Sequence, residues 1–96
     1  MTQNQTTTPP LKSPPGWQWA PDGKSITRTV TFKNFTEAFS FMTYVALLAE
    51  KADHHPDWSN TYNKVSISLS THSAGAVTEK DMQLARAIND FIPNQE

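Results

Sequence analysis

The sequence predicts an α+β domain in which a four-stranded antiparallel sheet carries its helices on one face. Residues 17–32 and 57–72 place apolar side chains at alternating positions, which is typical of strands. Residues 34–52 and 78–92 place them at spacings of three and four, which is typical of helices. Because the resulting element order is ββαββα, two hairpins, each followed by a helix, are the simplest arrangement.

The first hairpin follows a polar arm. Residues 1–16 hold four of the chain's seven prolines among Thr, Gln and Asn, and they predict a disordered arm before a single domain at 17–96. Trp17 and Trp19 fall on one face of a short strand, and the following APDGK supplies a turn that closes hairpins. The partner strand alternates threonines with Ile26, Arg28, Val30 and Phe32.

The central segment changes to a helical period and predicts a helix from about Asn34 to Ala52. Its predicted buried face consists of Phe35, Ala38, Phe39, Met42, Val45, Ala46, Ala49 and Ala52. A second apolar stripe, formed by Phe41, Tyr44 and Leu48, lies beside the first. Because a helix on one sheet buries only part of its circumference, this stripe suggests another layer or another subunit.

A second hairpin and helix complete the predicted fold. DWSNTYN predicts a strand with Trp58 and Tyr62 on one face, and Asn63 is a suitable turn residue. In KVSISLSTH, one face carries Val65, Ile67, Leu69 and Thr71, and the other carries the serines and His72. The last helix is predicted to begin with Thr78 as its N-cap and to end before Pro93. Its apolar residues are Met82, Leu84, Ala85, Ile88, Phe91 and Ile92.

Composition excludes several function classes. The 96-residue chain has 8 Lys and Arg against 9 Asp and Glu, without a run of like charge, so neither nucleic acid nor a membrane is predicted as a partner. The absence of cysteine excludes a disulfide, a thiolate nucleophile and a zinc–thiolate site. No secretory signal or membrane-spanning stretch is recognisable, and a cytoplasmic location fits. A chain this small gains burial by self-association.

All three histidines, His54, His55 and His72, fall in one loop-strand-loop segment. Pro56 favours extended backbone at His55 and therefore ends the preceding helix before it. If the two following strands pair about Asn63, the second strand returns His72 to the side of the other two. Three imidazoles, each able to change charge near neutral pH, would then line the same opening in the protein surface.

Such a cluster suits some chemistries better than others. A metal site is disfavoured because adjacent histidines in an extended chain diverge, and the usual two- or four-residue separation is absent. Nucleophilic catalysis lacks a cysteine and a serine in a Gly-x-Ser-x-Gly setting. General acid–base catalysis needs imidazoles within reach of a substrate and carboxylates to orient them, for which the candidates are Glu50, Asp53, Asp57 and Asp81. The alternative is that these are three surface histidines in a loop-rich region.

The segment EKADHHPDWSNTYNKVSISLSTHSAGAVTEKD resembles the signature of the pterin-4a-carbinolamine dehydratase family, which includes the dimerisation cofactor of a homeodomain transcription factor. The matching positions are Glu50-Lys51, His54-His55-Pro56, Trp58, Tyr62-Asn63, Val65, Thr71-His72, Thr78-Glu79 and Asp81. The similarity extends back through FKNFTEAFSFMTYVALLAE and covers nearly everything except the arm.

The resemblance implies a lyase that removes water from 4a-hydroxytetrahydropterin and yields quinonoid dihydropterin. This reaction recycles the tetrahydrobiopterin cofactor of aromatic amino acid hydroxylases, and the family needs no metal or organic cofactor. By analogy, His54 and His72 are the acid–base pair, while His55 chiefly holds and orients the pterin.

The resemblance also implies that Glu50, Pro56, Trp58 and Asp81 contribute to substrate binding. Glu50 and Asp81 would orient the imidazoles or the ring, and Pro56 and Trp58 would shape the loop and the pocket wall. Two alternatives stay open at this point. Glu50 could be a surface charge at a helix end, and Trp58 could belong to the core.

The family further implies a homodimer or homotetramer formed through helices, for which the stripe of Phe41, Tyr44 and Leu48 or that of Leu84 and Phe91 could serve. Some members double as transcriptional cofactors by docking a partner's dimerisation helices. A protein-binding module of that kind, with a nuclear as well as a cytoplasmic location, is the rival function class. Retention of all three histidines favours the enzyme.

Overall fold

The computed structural model describes residues 12–93 and has the predicted element order. The strands are β1 (Gln18–Trp19), β2 (Ile26–Thr31), β3 (Asp57–Thr61) and β4 (Lys64–Leu69), and the helices are α1 (Phe35–Ala52) and α2 (Glu79–Asn89). The strands form one antiparallel sheet in the order β1-β2-β4-β3. The predicted α+β class is therefore confirmed. Within the part of the chain described, neither helix is long and apolar enough to cross a membrane.

The two central strands separate an apolar face of the sheet from a polar one. Ile26 pairs with Leu69 and Val30 with Val65, and all four side chains are buried. On the other face, Thr29 and Ser66 pair across the strands, and their exposed hydroxyl groups lie 3.2 Å apart. The helices cover only the apolar face. Because β4 is paired with a strand on each side, the loops at its two ends begin from fixed positions.

Helix α1 buries only part of the predicted face, and it buries Phe41 from the second stripe as well. Its side chains Ala38, Phe41, Val45 and Ala49 are buried, whereas Phe39 is 55% exposed. Phe41 packs against Phe32 of the core with ring centroids 4.9 Å apart. The assignment of Phe39 to the buried face and of Phe41 to the outer stripe was therefore wrong. Apolar residues surround most of this helix, so their spacing alone does not select the buried face.

The β3–β4 connection is a tight turn at Tyr62 and Asn63. Tyr62 does not continue the strand beside Trp58 as predicted, because its φ angle is 51° and its side chain is 62% exposed. Asn63 fixes the turn to the neighbouring chain, since its side-chain nitrogen donates to the Phe32 carbonyl over 2.8 Å. This turn sets the register in which Thr61 pairs with Lys64.

Residues before Trp17 already contact the strands and helices of the domain. The Trp17 ring is buried and its Nε1 donates to Asn89 Oδ1 over 2.9 Å, while the Pro15 carbonyl accepts from Asn89 and from Arg28. Gly16 has a φ angle of 83°, and a Cβ there would lie only 2.3 Å from the Arg28 guanidinium. Burial lowers the pKa of Arg28 from its ordinary value.

Residues 15 and 16, which precede the predicted domain boundary at Trp17, contact Arg28 of β2. Most of the predicted arm, residues 1–11, lies outside the described residues. Helix α2 ends at Asn89, three residues before the predicted limit, yet Ile92 still reaches the core.

The positive φ angle of Tyr62 leads to a stability prediction. A left-handed conformation costs a residue with a Cβ about 1–2 kcal/mol, and glycine avoids that cost. We expect Tyr62→Gly to raise the free energy of unfolding by up to about 1 kcal/mol. Thr61→Gly, one residue earlier in extended backbone, should lower it by about 1 kcal/mol. Urea unfolding at one protein concentration checks both, and a loss of stability in both variants would contradict the assigned turn.

Candidate active site

The C-terminus of α1 places His54 by a defined capping motif. Asp53 has a φ angle of 53°, its N–H donates to the Glu50 carbonyl, and the N–H of His54 donates to the Ala49 carbonyl. These two bonds form a Schellman motif, which ends a helix and reverses the chain direction. The helix therefore ends at Ala52, as predicted, and its own cap ends it before Pro56 restricts the backbone of His55.

A buried carboxylate joins this helix end to two other segments. Asp81 is fully buried, and its Oδ1 lies 2.5 Å from His54 Nε2. Its Oδ2 accepts from Thr71 Oγ1 and from the backbone N–H of Thr78, each over 2.8 Å. The bond from Thr78 belongs to the capping box that begins α2. One side chain thus connects the end of α1, the end of β4 and the start of α2.

The contact with Asp81 fixes which ring nitrogen of His54 is available for chemistry. An ionised carboxylate can only accept, so Nε2 carries the hydrogen in this contact. Nδ1 has no hydrogen-bond partner among residues 12–93, and the side chain retains 11% exposure. The neutral ring therefore presents a lone pair at Nδ1. The arrangement follows the general rule that a carboxylate partner selects the tautomer and orientation of an imidazole.

His72 is presented by a short loop that Thr71 closes. Thr71 and Ala76 form an isolated β-bridge, and between them His72 begins a 3-10 turn that ends at Gly75. The Gly75 φ angle is 63°, which glycine adopts without strain. His72 is exposed and has no side-chain hydrogen bond to another described residue, so its ring is accessible to a molecule in the surrounding solvent.

The three histidines line one open cavity of about 330 Å³, which we call the histidine cavity. Its walls also include Pro56, Asp57 and Lys80. The antiparallel pairing of β3 with β4, in which Asp57 lies opposite Ser68, brings the loop before β3 beside the loop after β4. The predicted proximity of the histidines is therefore observed.

The His55 ring is held less firmly than the His54 ring. Its Nε2 lies 2.9 Å from Glu50 Oε1, and both side chains are largely exposed. Solvent screening makes such a contact weak, worth about 0–1 kcal/mol. It can bias the ring orientation without fixing it.

The remaining predicted site residues separate into two groups. Pro56 lines the cavity, whereas Trp58 is half-buried and packs against the core. Asp81 does not line the cavity, because it lies fully buried behind His54 and holds that ring. Glu50 reaches the cavity only through His55.

Sequence reasoning missed Thr71 as a polar support and Lys80 as a cavity wall. Thr71 continues the apolar face of β4, and this position signalled a buried side chain but not its bond to Asp81. Lys80 precedes Asp81 in the first turn of α2, and only the packing of that turn brings it to the cavity.

The chemistry available in the cavity is proton transfer. Within residues 12–93, no group of three or more His, Cys, Asp or Glu side chains has a geometry that could hold a metal ion. One imidazole is held by a buried carboxylate and one is exposed on a short loop. Imidazoles can both accept and donate protons, which is the chemistry of general acid–base catalysis.

Comparison with known proteins gives a consistent family. The sequence profile of the family described as Pterin 4 alpha carbinolamine dehydratase matches residues 1–91. A protein of Afipia carboxidovorans with the provisional name pterin-4-alpha-carbinolamine dehydratase is 58% identical over 77 residues, covering 80% of this chain and 77% of the relative. A protein of Mesorhizobium japonicum with the same provisional name is 57% identical over 76 residues, covering 79% of this chain and 78% of the relative.

Solved structures agree with this fold. The crystal structure of a transcriptional coactivator/pterin dehydratase from Brucella melitensis superposes with a TM-score of 0.78 at 49% identity, covering 80% of this chain and 82% of that one. A pterin dehydratase-like protein identified as a RuBisCO assembly factor in the alpha-carboxysome superposes with a TM-score of 0.71 at 16% identity, covering 83% of this chain and 93% of that one. The second likeness concerns the fold alone.

The contact between His54 and Asp81 predicts a tautomer. In ¹⁵N-labelled protein at a pH where histidines are neutral, the His54 ring should carry its hydrogen on Nε2, because the carboxylate can only accept. Long-range ¹⁵N–¹H spectra distinguish the two tautomers, and the His55→Ala and His72→Ala variants assign the three rings. A His54 ring with its hydrogen on Nδ1 would contradict the contact.

Proposed function

This chain belongs to the pterin 4 alpha carbinolamine dehydratase family, and we propose that it removes water from 4a-hydroxytetrahydropterin to give quinonoid dihydropterin. The observation that carries the proposal is the cavity lined by three imidazoles, of which His54 is held by the buried carboxylate of Asp81. The reaction needs two proton transfers, and this cavity offers a separate imidazole for each.

The proton balance assigns a role to each imidazole. Loss of the 4a-hydroxyl group requires a proton on the departing oxygen, and formation of the quinonoid ring requires removal of a proton from the neighbouring ring nitrogen. His54 suits the base, because its Nδ1 lone pair is available while Asp81 stabilises the imidazolium that forms. His72 suits the acid, because its exposed ring regains a proton from solvent after each turnover. The net products are water and the dihydropterin.

The other site residues position the pterin. His55 is free to contact the ring, since its bond to Glu50 is exposed and weak. Pro56 stiffens the wall between the histidines and β3. Asp81 and Trp58 act without lining the cavity. Asp81 positions His54, and Trp58 packs against the core beneath the sheet.

In this role the protein would recycle tetrahydrobiopterin or a related pterin in the cytoplasm, without a metal or an organic cofactor. Both proton transfers use side chains of the chain itself, so the proposed steps require no added group. The recycling role follows from the product, because quinonoid dihydropterin is the form that a reductase can return to the tetrahydro state.

A second candidate function is protein binding as a transcriptional cofactor, with a nuclear location. The observation that favours it is an exposed apolar surface on the helices, which we call the helix surface. It is formed by the stacked rings of Tyr44 and Phe91, whose centroids lie 5.1 Å apart, and Phe39 and Leu47 are exposed at other positions around α1. The Brucella melitensis relative is described as a transcriptional coactivator as well as a pterin dehydratase.

The same helix surface supports the proposal that the protein is a homodimer or homotetramer. Exposed aromatic rings that contact one another commonly mark an interface. The observed surface differs from the predicted stripe of Phe41, Tyr44 and Leu48, since Phe41 belongs to the core. Tyr44 and Phe91 come from the two predicted stripes and meet in one patch.

Histidine variants test the enzyme. We expect His54→Ala and His72→Ala to lower kcat for dehydration of chemically generated 4a-hydroxytetrahydropterin by roughly 10²–10⁴-fold, because each removes one proton transfer. His55→Ala should chiefly raise KM. Lys64→Gln, an exposed change outside the cavity, is the control. Absorbance follows the reaction above its spontaneous rate, and wild-type turnover in a His54 or His72 variant would remove that residue from its role.

A charge on the helix surface tests self-association. We expect Tyr44→Asp to shift the protein to a smaller species in sedimentation equilibrium, because it places a carboxylate in an apolar contact. Thr29→Asp, on the polar face of the sheet, is the matched control and should leave the mass unchanged. If wild type is a monomer at every concentration, the helix surface is free to serve the transcriptional partner instead.

A further inference from the structure

A second cleft opens beside the histidine cavity, between the two helices. This helix cleft has a volume of about 470 Å³. Two of its wall residues, His54 and Lys80, also line the histidine cavity, so the two spaces meet at the first turn of α2. The proposed dehydration uses only the histidine cavity and leaves the helix cleft without a role.

The helix cleft combines apolar walls with two cations. Leu48, Ala52, Leu84 and Ala87 supply the apolar walls, and Lys51 and Lys80 supply the charge. No acidic side chain lines it, and neither lysine forms an ion pair with another residue of the part described. Two unneutralised ammonium groups beside an apolar wall favour an anionic ligand with some apolar surface.

The histidine cavity differs from the helix cleft in having acidic side chains in its walls. Asp53 and Asp57 line it and do not line the helix cleft. Carboxylates accept hydrogen bonds from N–H groups, and a pterin carries its amino group and ring N–H on the pyrimidine ring. The C6 substituent is attached to the opposite ring. A pterin bound with its pyrimidine ring towards these carboxylates therefore directs its C6 substituent away from them.

We propose that the helix cleft is a subsite for the C6 substituent of the substrate, and that Lys51 and Lys80 select pterins in which this substituent is anionic. The proposal rests on the proposed function for the identity of the ring and adds the substrate class. The carboxylate of a pteroylglutamate and the phosphate of a neopterin phosphate share the required charge. The neutral hydroxylated chain of biopterin lacks it.

Equilibrium binding tests the subsite independently of catalysis. The full-length protein is titrated with 6-methylpterin, biopterin, pteroylglutamate and neopterin phosphate, with ligand fluorescence as the readout. We expect the two anionic pterins to bind roughly tenfold more tightly than biopterin at low ionic strength, as two exposed ion pairs would produce. This preference should decrease at high salt, because exposed charges are screened. Preference for one anion alone identifies whether carboxylate or phosphate is recognised.

Lysine variants locate the effect. Lys51→Gln and Lys80→Gln should each reduce the preference by roughly threefold, as the loss of one exposed ion pair predicts. Lys51→Arg keeps the charge and should retain the preference. Lys24→Gln, in the β1–β2 turn and outside both spaces, is the matched control and should retain it as well.

Equal affinity for anionic and neutral pterins would overturn the subsite, and so would a preference that survives both glutamine variants, as expected if a second copy covers the cleft. The proposed function is tested separately by dehydration of 4a-hydroxy-6-methyltetrahydropterin, which lacks an anionic substituent. Dehydration without an anion preference overturns the subsite and leaves the enzyme. An anion preference without dehydration overturns the enzyme and supports the cleft as an anion site.

Discussion

The rest of the site depends on the buried carboxylate of Asp81. A fully buried charge is unfavourable unless hydrogen-bond donors surround it, and this one has three from three segments. Its requirement for donors couples the start of α2, the end of β4 and the end of α1. The geometry of His54 is therefore a consequence of how the domain satisfies this charge, and the site and the fold share the same contacts.

The histidine cavity is formed by loops and by the ends of helices and strands, rather than by residues in the middle of any helix or strand. The Schellman motif at Asp53 turns the chain towards β3, and the tight turn at Tyr62 returns it along β4 to His72. Loops so short leave few conformations to lose on folding, and the paired strands fix the distance between their ends. Side chains on these loops are consequently both exposed and well placed, which suits groups that exchange protons with a substrate.

The sequence predicted the faces of β2 and β4 because a period of two leaves only two choices of face, whereas Tyr62 and His72 lie beyond the ends of the strands to which they were assigned. The clustering of the histidines was predicted from the pairing of the two strands about Asn63. The buried face of α1 was less predictable. Phe39 and Phe41 have the same side chain, and only the packing of Phe41 against Phe32 distinguishes them. The burial of Asp81 could not be read locally, because an acidic residue in a first helical turn is ordinarily exposed and its partners His54 and Thr71 are distant in sequence.

The bonds at the other end of α2 have a mechanical consequence. Asn89 is held there by Trp17, Arg28 and the Pro15 carbonyl, while Asp81 is held at the first turn, about 12 Å away along the axis. A helix fastened at both ends cannot slide or rotate about its axis without breaking one set of bonds. α2 therefore acts as a strut between the N-terminal segment and the histidines. The segment at Pro15 and the histidine cavity are thus joined through α2, although neither Pro15 nor its described partners Arg28 and Asn89 line the cavity.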